Sequence, residues 1–233
     1  RLRSRGLGDV YKRQELKRVC HAMGISINEY LVSVYIWSVY TECLHGMPSK
    51  CPIRVAVPVN LRPYFNSITT KNFFVMVSAE FHPTKETYTF AEVAAIVKES
   101  LRSQINRENL EKLFSYNVSN EKLLIARVVP LFLKNLAMKY VYTTSALANT
   151  ATITNIGNIS VTEEYRPYVE MFHAFLAMSK GQHLKGTICS YGDTLVFSFS
   201  YDLVDASVQR GFFRKIASDG IAVEIKSNGV NYE

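Results

Sequence analysis

The sequence predicts a mixed α/β (α+β) fold in which helices flank a largely antiparallel sheet. Two apolar segments with period-two alternation, residues 54–62 and 72–80, are predicted as neighbouring strands. Two more alternating segments follow residue 184, and Gly192-Asp193 between them is typical of a β-hairpin turn. Elsewhere the apolar residues recur at the spacing of helices. Helices and strands of this kind pack as layers around one core.

Length and composition are those of an ordinary globular protein. The chain has 233 residues, of which 48% are hydrophobic and 20% are charged, and this length suits one large domain or two small ones. No apolar run reaches the roughly 18–20 residues that a membrane span needs, so no membrane span is expected. The four cysteines lack metal-ligand spacing. We interpret them as free buried thiols of a cytoplasmic protein rather than as a disulfide framework.

The basic N-terminal segment, residues 1–14, is set apart from the rest of the chain. It carries five basic residues and one acidic residue, so it supplies +4 of the net charge of +7. Its sequence resembles translated sequencing-adapter read-through, and a disordered basic tail is the alternative. We expect residues 1–14 to be a non-native or disordered leader, residues 15–233 to be the domain, and the natural N-terminus to be missing. Because the charge lies in this leader, nucleic-acid binding is not expected.

The domain is predicted to begin with two helices. The apolar residues ahead of Gly24 recur at helical spacing, and this glycine is placed as one that ends a helix. Ser26 or Asn28 can cap the second helix, and Glu29 completes a capping box with Ser26. The second helix, residues 29–45, is apolar on most sides and is therefore expected to be buried.

Further helices and strands follow residues 72–80. Residues 90–105 carry one apolar stripe, which predicts a surface amphipathic helix. Residues 123–142 are long and apolar, with Pro130 expected to kink or split the helix, and we interpret their apolar faces as core. The remaining predicted elements are a helix at 108–116, a helix at 205–218 that Asp205 can cap, and strands at 151–155, 168–178, 185–191, 195–202 and 222–226.

The five histidines offer no recognisable catalytic or metal site. None lies in an H-H-x-x-x-D, serine-elbow or metal-ligand context. His173 alternates with apolar residues and is interpreted as a core or channel residue, whereas His183 lies in a glycine-bearing loop. The sequence also lacks a P-loop, a G-x-G-x-x-G motif and a catalytic-cysteine setting. No catalytic residue and no metal ligand is therefore assigned.

Several segments, taken in order, resemble the chloramphenicol-acetyltransferase-like superfamily of CoA-dependent acyltransferases. They are G-I-S-I-N-E-Y-L at 24–31, V-P-V-N-L-R at 57–62 followed by N-F at 72–73, T-N-I-G at 154–157 and F-S-F-S-Y-D at 197–202. The superfamily includes the condensation domains of peptide synthetases, alcohol acetyltransferases and wax-ester synthases. The resemblance extends over nearly all of residues 15–233, but it matches only the C-terminal lobe of the two-lobed fold.

The resemblance implies transfer of an acyl group from acyl-CoA or acyl-pantetheine, as co-substrate, to an alcohol or amine. No bound cofactor is implied, and the partners are a small-molecule donor and acceptor. In the family the general base is the histidine of H-H-x-x-x-D in the N-terminal lobe. We therefore expect this chain to be an inactive fragment whose partner is its own missing N-terminal lobe.

Arg62 matches the family arginine that pairs with the aspartate of that motif and holds the motif's loop in shape. On this interpretation Arg62 is a buried charge without its partner, which would be strongly destabilising. The alternative is a surface arginine at the end of a strand.

The other candidate residues are expected to line the substrate tunnel. They are Asn60, Asn72, Asn155, Gly157, Ser198, Ser200 and Asp202. Asn155 either binds substrate or caps its own turn, and Gly157 would permit close backbone approach. Ser198 and Ser200 share one strand face, which a half-exposed strand without function would also explain. A non-catalytic binding module, or an unrelated α/β protein with similar strands, is the rival hypothesis.

Overall fold

Seven strands and seven helices occur in the part of the chain described by this computed structural model, residues 5–122, 129–179 and 181–227. The strands are β1 Arg5–Lys12, β2 Ile53–Asn60, β3 Phe74–Phe81, β4 Ala151–Asn158, β5 Leu184–Tyr191, β6 Thr194–Tyr201 and β7 Val223–Ser227. The helices are α1 Arg13–Ala22, α2 Ile27–Glu42, α3 Arg62–Phe65, α4 Phe90–Gln104, α5 Arg107–Lys122, α6 Leu131–Leu147 and α7 Ser207–Ser218. A 3-10 turn, Arg166–Tyr168, follows β4.

All seven strands belong to one sheet, in the order β3-β2-β4-β5-β6-β1-β7. The β2–β4 and β4–β5 pairs are parallel, and the other four neighbouring pairs are antiparallel. The β5–β6 hairpin turns at Gly192-Asp193, with Tyr191 opposite Thr194. The prediction of a mixed, largely antiparallel sheet flanked by helices is confirmed.

The core lies between one face of the sheet and helices α2, α4 and α7. Helix α2 is apolar on nearly every side and is buried over most of its length, as its sequence predicts. Phe197 and Phe199 of β6 pack on Phe212 of α7, with ring centroids 4.4 and 5.1 Å apart. All three rings are fully buried, and each contributes roughly 2–3 kcal/mol to the free energy of unfolding.

Two capping boxes fix where the central helices begin. The Ser26 hydroxyl accepts a hydrogen bond from the Glu29 N–H, and the Glu29 carboxylate accepts one from the Ser26 N–H. Thr89 and Glu92 repeat this arrangement at the start of α4. Of the two caps considered for α2, the structure has Ser26, while Asn28 lies within the first turn.

Residues 5–12, which the sequence analysis assigns to the leader, form β1 between β6 and β7. Gly8 pairs with Ser198 on one side and with Lys226 on the other. Strands pair through backbone groups that nearly every residue has. A native or a non-native segment could therefore pair in this way. The division into a leader at 1–14 and a domain at 15–233 stays a prediction.

Helix α6 is exposed, so the interpretation of its apolar faces as core is wrong for the described residues. Leu131, Phe132, Leu136 and Tyr140 are 67–74% exposed, and no other described helix or strand makes an extensive contact with α6. An apolar sequence predicts that a face will be covered, but it does not identify the covering element. The other part of that prediction, residues 123–128, lies outside the described residues.

The predicted strand at 168–178 is an irregular segment. It pairs with no strand among the described residues, and a single bridge between Ser179 and Gln182 lies just beyond it. It packs on β5 instead: the Cys189 thiol donates to the Phe172 carbonyl at 3.0 Å, and the Phe172 ring meets Tyr191 edge to face. The alternation of apolar residues therefore reflects packing on a sheet rather than pairing within one. His173, interpreted as core or channel, is exposed.

The cysteines are free, as expected, but only two of them are buried. Cys20 and Cys189 are buried, whereas Cys43 and Cys51 are exposed. None of the described helices combines the length and the apolar character that crossing a membrane requires.

Candidate functional site

The candidate site lies on the sheet face opposite the core, which we call the outer face. Alternate side chains along each strand point to it. The outer face carries Ala56 and Pro58 from β2, Phe74 and Met76 from β3, Thr152 and Thr154 from β4, and Lys185, Thr187 and Cys189 from β5. Most of their neighbours along β2, β3 and β4, such as Val57, Val77 and Ile153, belong to the core.

One cavity, of about 380 Å³, lies where β2 ends. It brings together three residues that the sequence analysis singles out, Asn60, Arg62 and Asn155. Leu176 of the irregular segment and Thr154 of β4 complete one wall. Asn72 is exposed and does not line this cavity.

Arg62 holds the loop that connects α3 to β3. Its Nε donates to the Thr69 carbonyl at 3.0 Å, and its terminal nitrogen donates to the Lys71 carbonyl at 2.7 Å. The Asn60 side-chain oxygen accepts from both the N–H and the guanidinium of Arg62. The partners of this guanidinium in the described residues are thus neutral amide oxygens. Arg62 is partly buried, so its hydrogen bonds are satisfied while its charge has no carboxylate partner there.

Asn155 and Gly157 form a bulge at the end of β4. The Asn155 side-chain oxygen accepts the Gly157 N–H at 2.8 Å, so Asn155 caps its own turn. Gly157 has a φ of +86°, and no heavy atom among the described residues lies within 4 Å of a Cβ built there. The backbone conformation, rather than close approach of a neighbour, therefore explains the glycine.

A second cavity, of about 630 Å³, lies around Lys185. The Lys185 ammonium donates to the Ala177 carbonyl at 2.8 Å and to the Ser179 hydroxyl at 2.6 Å. Burial lowers the pKa of this ammonium. Beside it, the Thr152 hydroxyl donates to the Gln182 side-chain oxygen at 3.3 Å. Lys185 is not among the candidate residues predicted from the sequence, although a lysine inside an apolar, alternating strand is a signal that could have identified it.

The two cavities adjoin, because Phe74, Met76 and Thr152 line both. We call the combined depression the outer groove. Its floor is apolar at Phe74 and Met76, which are 47% and 45% exposed. One end carries the amides and the guanidinium, and the other carries the Lys185 ammonium. Such a groove can hold an elongated molecule with polar groups at its ends.

Comparisons with known proteins identify the fold. No protein-family model matches the sequence, and no curated protein matches it. Among solved structures, F. sporotrichioides TRI101 complexed with coenzyme A and T-2 has a TM-score of 0.58 and 14% identity, over 98% of this chain and 52% of that chain. The epimerization domain from the third module of tyrocidine synthetase B has a TM-score of 0.58 and 12% identity, over 93% and 47%. The wax ester synthase/diacylglycerol acyltransferase from Marinobacter aquaeolei VT8 has a TM-score of 0.52 and 14% identity, over 93% and 49%.

The chain has the condensation-like acyltransferase fold. The resemblance identified from its motifs is thereby confirmed at the level of fold. The chain spans about half the length of these three structures. At identities of 12–14% the likeness establishes the fold and not the reaction.

Ser198 and Ser200, two of the predicted tunnel residues, are 0% and 2% exposed and are therefore buried. Neither residue lines either cavity. Ser198 lies directly opposite Thr187 of β5. The Ser198 and Thr187 hydroxyls both lack a hydrogen-bond partner among the described residues. These two orphaned hydroxyls are an unusual feature of the sheet, because buried polar groups are generally paired.

Asp202 lies just beyond β6 and pairs with His183, a contact that the sequence analysis misses. The His183 Nδ1 and the Asp202 Oδ1 are 3.0 Å apart, with the histidine largely exposed. The two residues are 19 positions apart, and the β5–β6 hairpin brings them together.

No group of three or more metal-binding side chains occurs in the described part of this acyltransferase fold.

Proposed function

We propose that the chain is the C-terminal lobe of an acyltransferase that moves an acyl group from acyl-CoA, or from a carrier-bound thioester, to an alcohol or amine. The outer groove, on a chain of condensation-like acyltransferase fold, carries this proposal. Its size and its apolar floor suit an acyl chain. The wax ester synthase and the coenzyme A complex of TRI101 support acyl-CoA as the co-substrate.

The groove supplies binding and the missing lobe supplies the base. An H-H-x-x-x-D histidine takes the proton of the acceptor hydroxyl or amine as the acceptor attacks the thioester carbonyl, and the thiolate leaves. Asn60 contacts the substrate from the groove, and Asn155, whose side-chain oxygen accepts the Gly157 N–H, contacts it through its amide nitrogen. Arg62 pairs with the aspartate of that motif and so orients its loop. The lack of a carboxylate partner for Arg62 among the described residues supports this role.

The partner in this account is an N-terminal lobe of the same cytoplasmic protein. Two observations support it. The chain spans about half the length of the structures that share its fold, and α6 exposes an apolar surface of the kind that a partner covers. The small-molecule donor and acceptor would then bind between the two lobes.

A transfer assay tests the proposal. The intact protein, expressed from its source gene, is incubated with acyl-CoA and a panel of alcohols and amines, and release of the CoA thiol is followed. We expect release with at least one acceptor, and none above a no-protein control with the 233-residue chain alone. Transfer by the 233-residue chain would contradict the assignment of the base to the missing lobe. Binding without transfer by the intact protein would favour the non-catalytic binding module.

A further inference from the structure

We propose that the Lys185 end of the outer groove binds the anionic head of a single-chain amphiphile whose alkyl tail lies along Phe74 and Met76. The head is a carboxylate or a phosphate monoester, since both present anionic oxygens to an ammonium. This binding requires no catalytic residue. It is therefore independent of whether the intact protein transfers acyl groups.

The charge of Lys185 is the first argument. Both of its hydrogen-bond partners, the Ala177 carbonyl and the Ser179 hydroxyl, are neutral. No acidic side chain occurs among the described residues that line the cavity, so the ammonium has no counter-ion there. An ammonium has three donors, and two are engaged. An anionic oxygen would fill the third position with a charge-assisted hydrogen bond.

The shape of the groove is the second argument. The strand register places Thr152 and Ala56 between Lys185 on β5 and Ser78 on β3, in one row across the sheet. This row spans three strand spacings, about 14 Å, and Met76 and Phe74 lie two and four residues along β3 from Ser78, up to about 13 Å further. Leu113 and Tyr116 of α5, which contacts β3, add apolar surface at the β3 end of the cavity. Ser179 and Gln182 are the polar side chains beside Lys185, and on the β3 side the Ser78 hydroxyl donates to the Asn149 side-chain oxygen. Lys185 is the one cation among the described residues that line this cavity, and the surface of Phe74 and Met76 beside it can hold an alkyl chain.

A neutral amphiphile fits less well. An alcohol head can accept a hydrogen bond from Lys185, but it leaves the ammonium without a counter-ion in a site where burial already disfavours the charge. An anionic head supplies the counter-ion that the Lys185 ammonium lacks. We expect an anionic amphiphile to bind about tenfold or more tightly than the alcohol of the same chain length.

Titration calorimetry on the 233-residue chain tests the site, with decanoate, decyl phosphate and decanol as probes below their micelle concentrations. We expect saturable binding of at least one anionic probe and at least tenfold weaker binding of decanol. The tighter of the two anions then identifies the head as carboxylate or phosphate. Equal affinity for decanol and both anions, or no saturable binding of either anion, would overturn the proposal.

Substitutions place the binding in the groove. Lys185→Met keeps the apolar stem and should abolish the preference for the anion, while Lys185→Arg should retain it. Lys50→Met, at an exposed loop lysine outside the groove, is the matched control and should change nothing. Met76→Glu is a second variant at a half-exposed position, so the fold should tolerate it, and it should weaken anion binding by repulsion. A folded Lys185→Met protein that keeps the anion preference would show that Lys185 does not bind the head group and only hydrogen-bonds the segment at 177–179.

Discussion

Glu29 joins the start of α2 to the end of α4, and its removal tests how the helical layer is held together. Its carboxylate accepts the Ser26 N–H at 2.7 Å and the Arg102 guanidinium at 2.7 and 3.1 Å. The Glu29 side chain is 9% exposed, whereas that of Arg102 is 55% exposed. Glu29→Ala therefore removes both half of a capping box and the buried member of an ion pair.

The expected cost follows from these two losses. The capping interaction contributes about 1 kcal/mol to the free energy of unfolding. Loss of the Glu29 charge costs about 1 kcal/mol more, because Arg102 is largely exposed and solvent screens the pair, whereas removing one member of a fully buried pair costs about 3–5 kcal/mol. We thus expect Glu29→Ala to lose about 2 kcal/mol in urea unfolding followed by circular dichroism.

Glu108→Ala is the matched control for Glu29→Ala. Glu108 pairs with Lys112 one turn later, and both side chains are largely exposed. Its loss should leave the urea midpoint unchanged within error. Equal losses in the two variants would refute the claim that burial and capping make Glu29 important.

The Glu29 contribution should also depend on pH. Burial would raise the pKa of the Glu29 carboxyl, but the hydrogen bonds from Arg102 and Ser26 outweigh burial, and its pKa is lowered. Since the native pKa lies below the unfolded one, the stabilisation is complete above the ordinary glutamate pKa of about 4.3 and is lost as the pH falls through the native pKa. The stability difference between wild type and Glu29→Gln should shrink below about pH 4. A difference that stays constant from neutral pH to pH 3 would contradict this account.

Two further predictions concern packing and buried hydroxyls in the sheet. A Cβ at Gly186 would lie 2.7 Å from the Phe197 ring, so Gly186→Ala should lose about 1–3 kcal/mol in urea unfolding, and an unchanged midpoint would contradict that close approach. Ser198→Ala removes a buried hydroxyl without a partner among the described residues and should gain about 1 kcal/mol. Ser190→Ala removes a hydroxyl that donates to the Gly157 carbonyl and should lose about as much. A loss of stability in both serine variants would show that the Ser198 hydroxyl is paired.

Sequence reasoning succeeds here where the deciding interaction is local. The capping box at Ser26 and Glu29 spans four residues, and the Gly192-Asp193 hairpin turn is set by its own backbone preferences. The alternation in β2 and β3 identifies strands because both segments have a partner nearby in the chain. These elements carry enough of the family's motif order to predict the fold.

The errors arise where a distant partner decides the outcome. Residues 168–178 alternate like a strand but pack on β5 instead of pairing. Helix α6 is apolar enough for a core, yet no described element covers it.

Asn60, Arg62 and Asn155 line one cavity, because the carboxyl ends of the parallel strands β2 and β4 lie side by side. Their role in binding substrate stays a prediction. The position of Lys185 in an apolar, alternating strand is visible in the sequence, but its hydrogen bonds to Ala177 and Ser179 depend on a segment that does not pair in the sheet.

The sequence of the source DNA upstream of the Glu15 codon tests the central claim most directly. The account predicts an in-frame extension of roughly 150–200 residues, the size of a typical domain, that carries H-H-x-x-x-D and replaces residues 1–14. That result would give Arg62 the aspartate it is proposed to pair with, and it would supply the base for acyl transfer. A start codon close to Glu15, or an extension without the motif, would contradict the account and leave the groove as a binding site without chemistry.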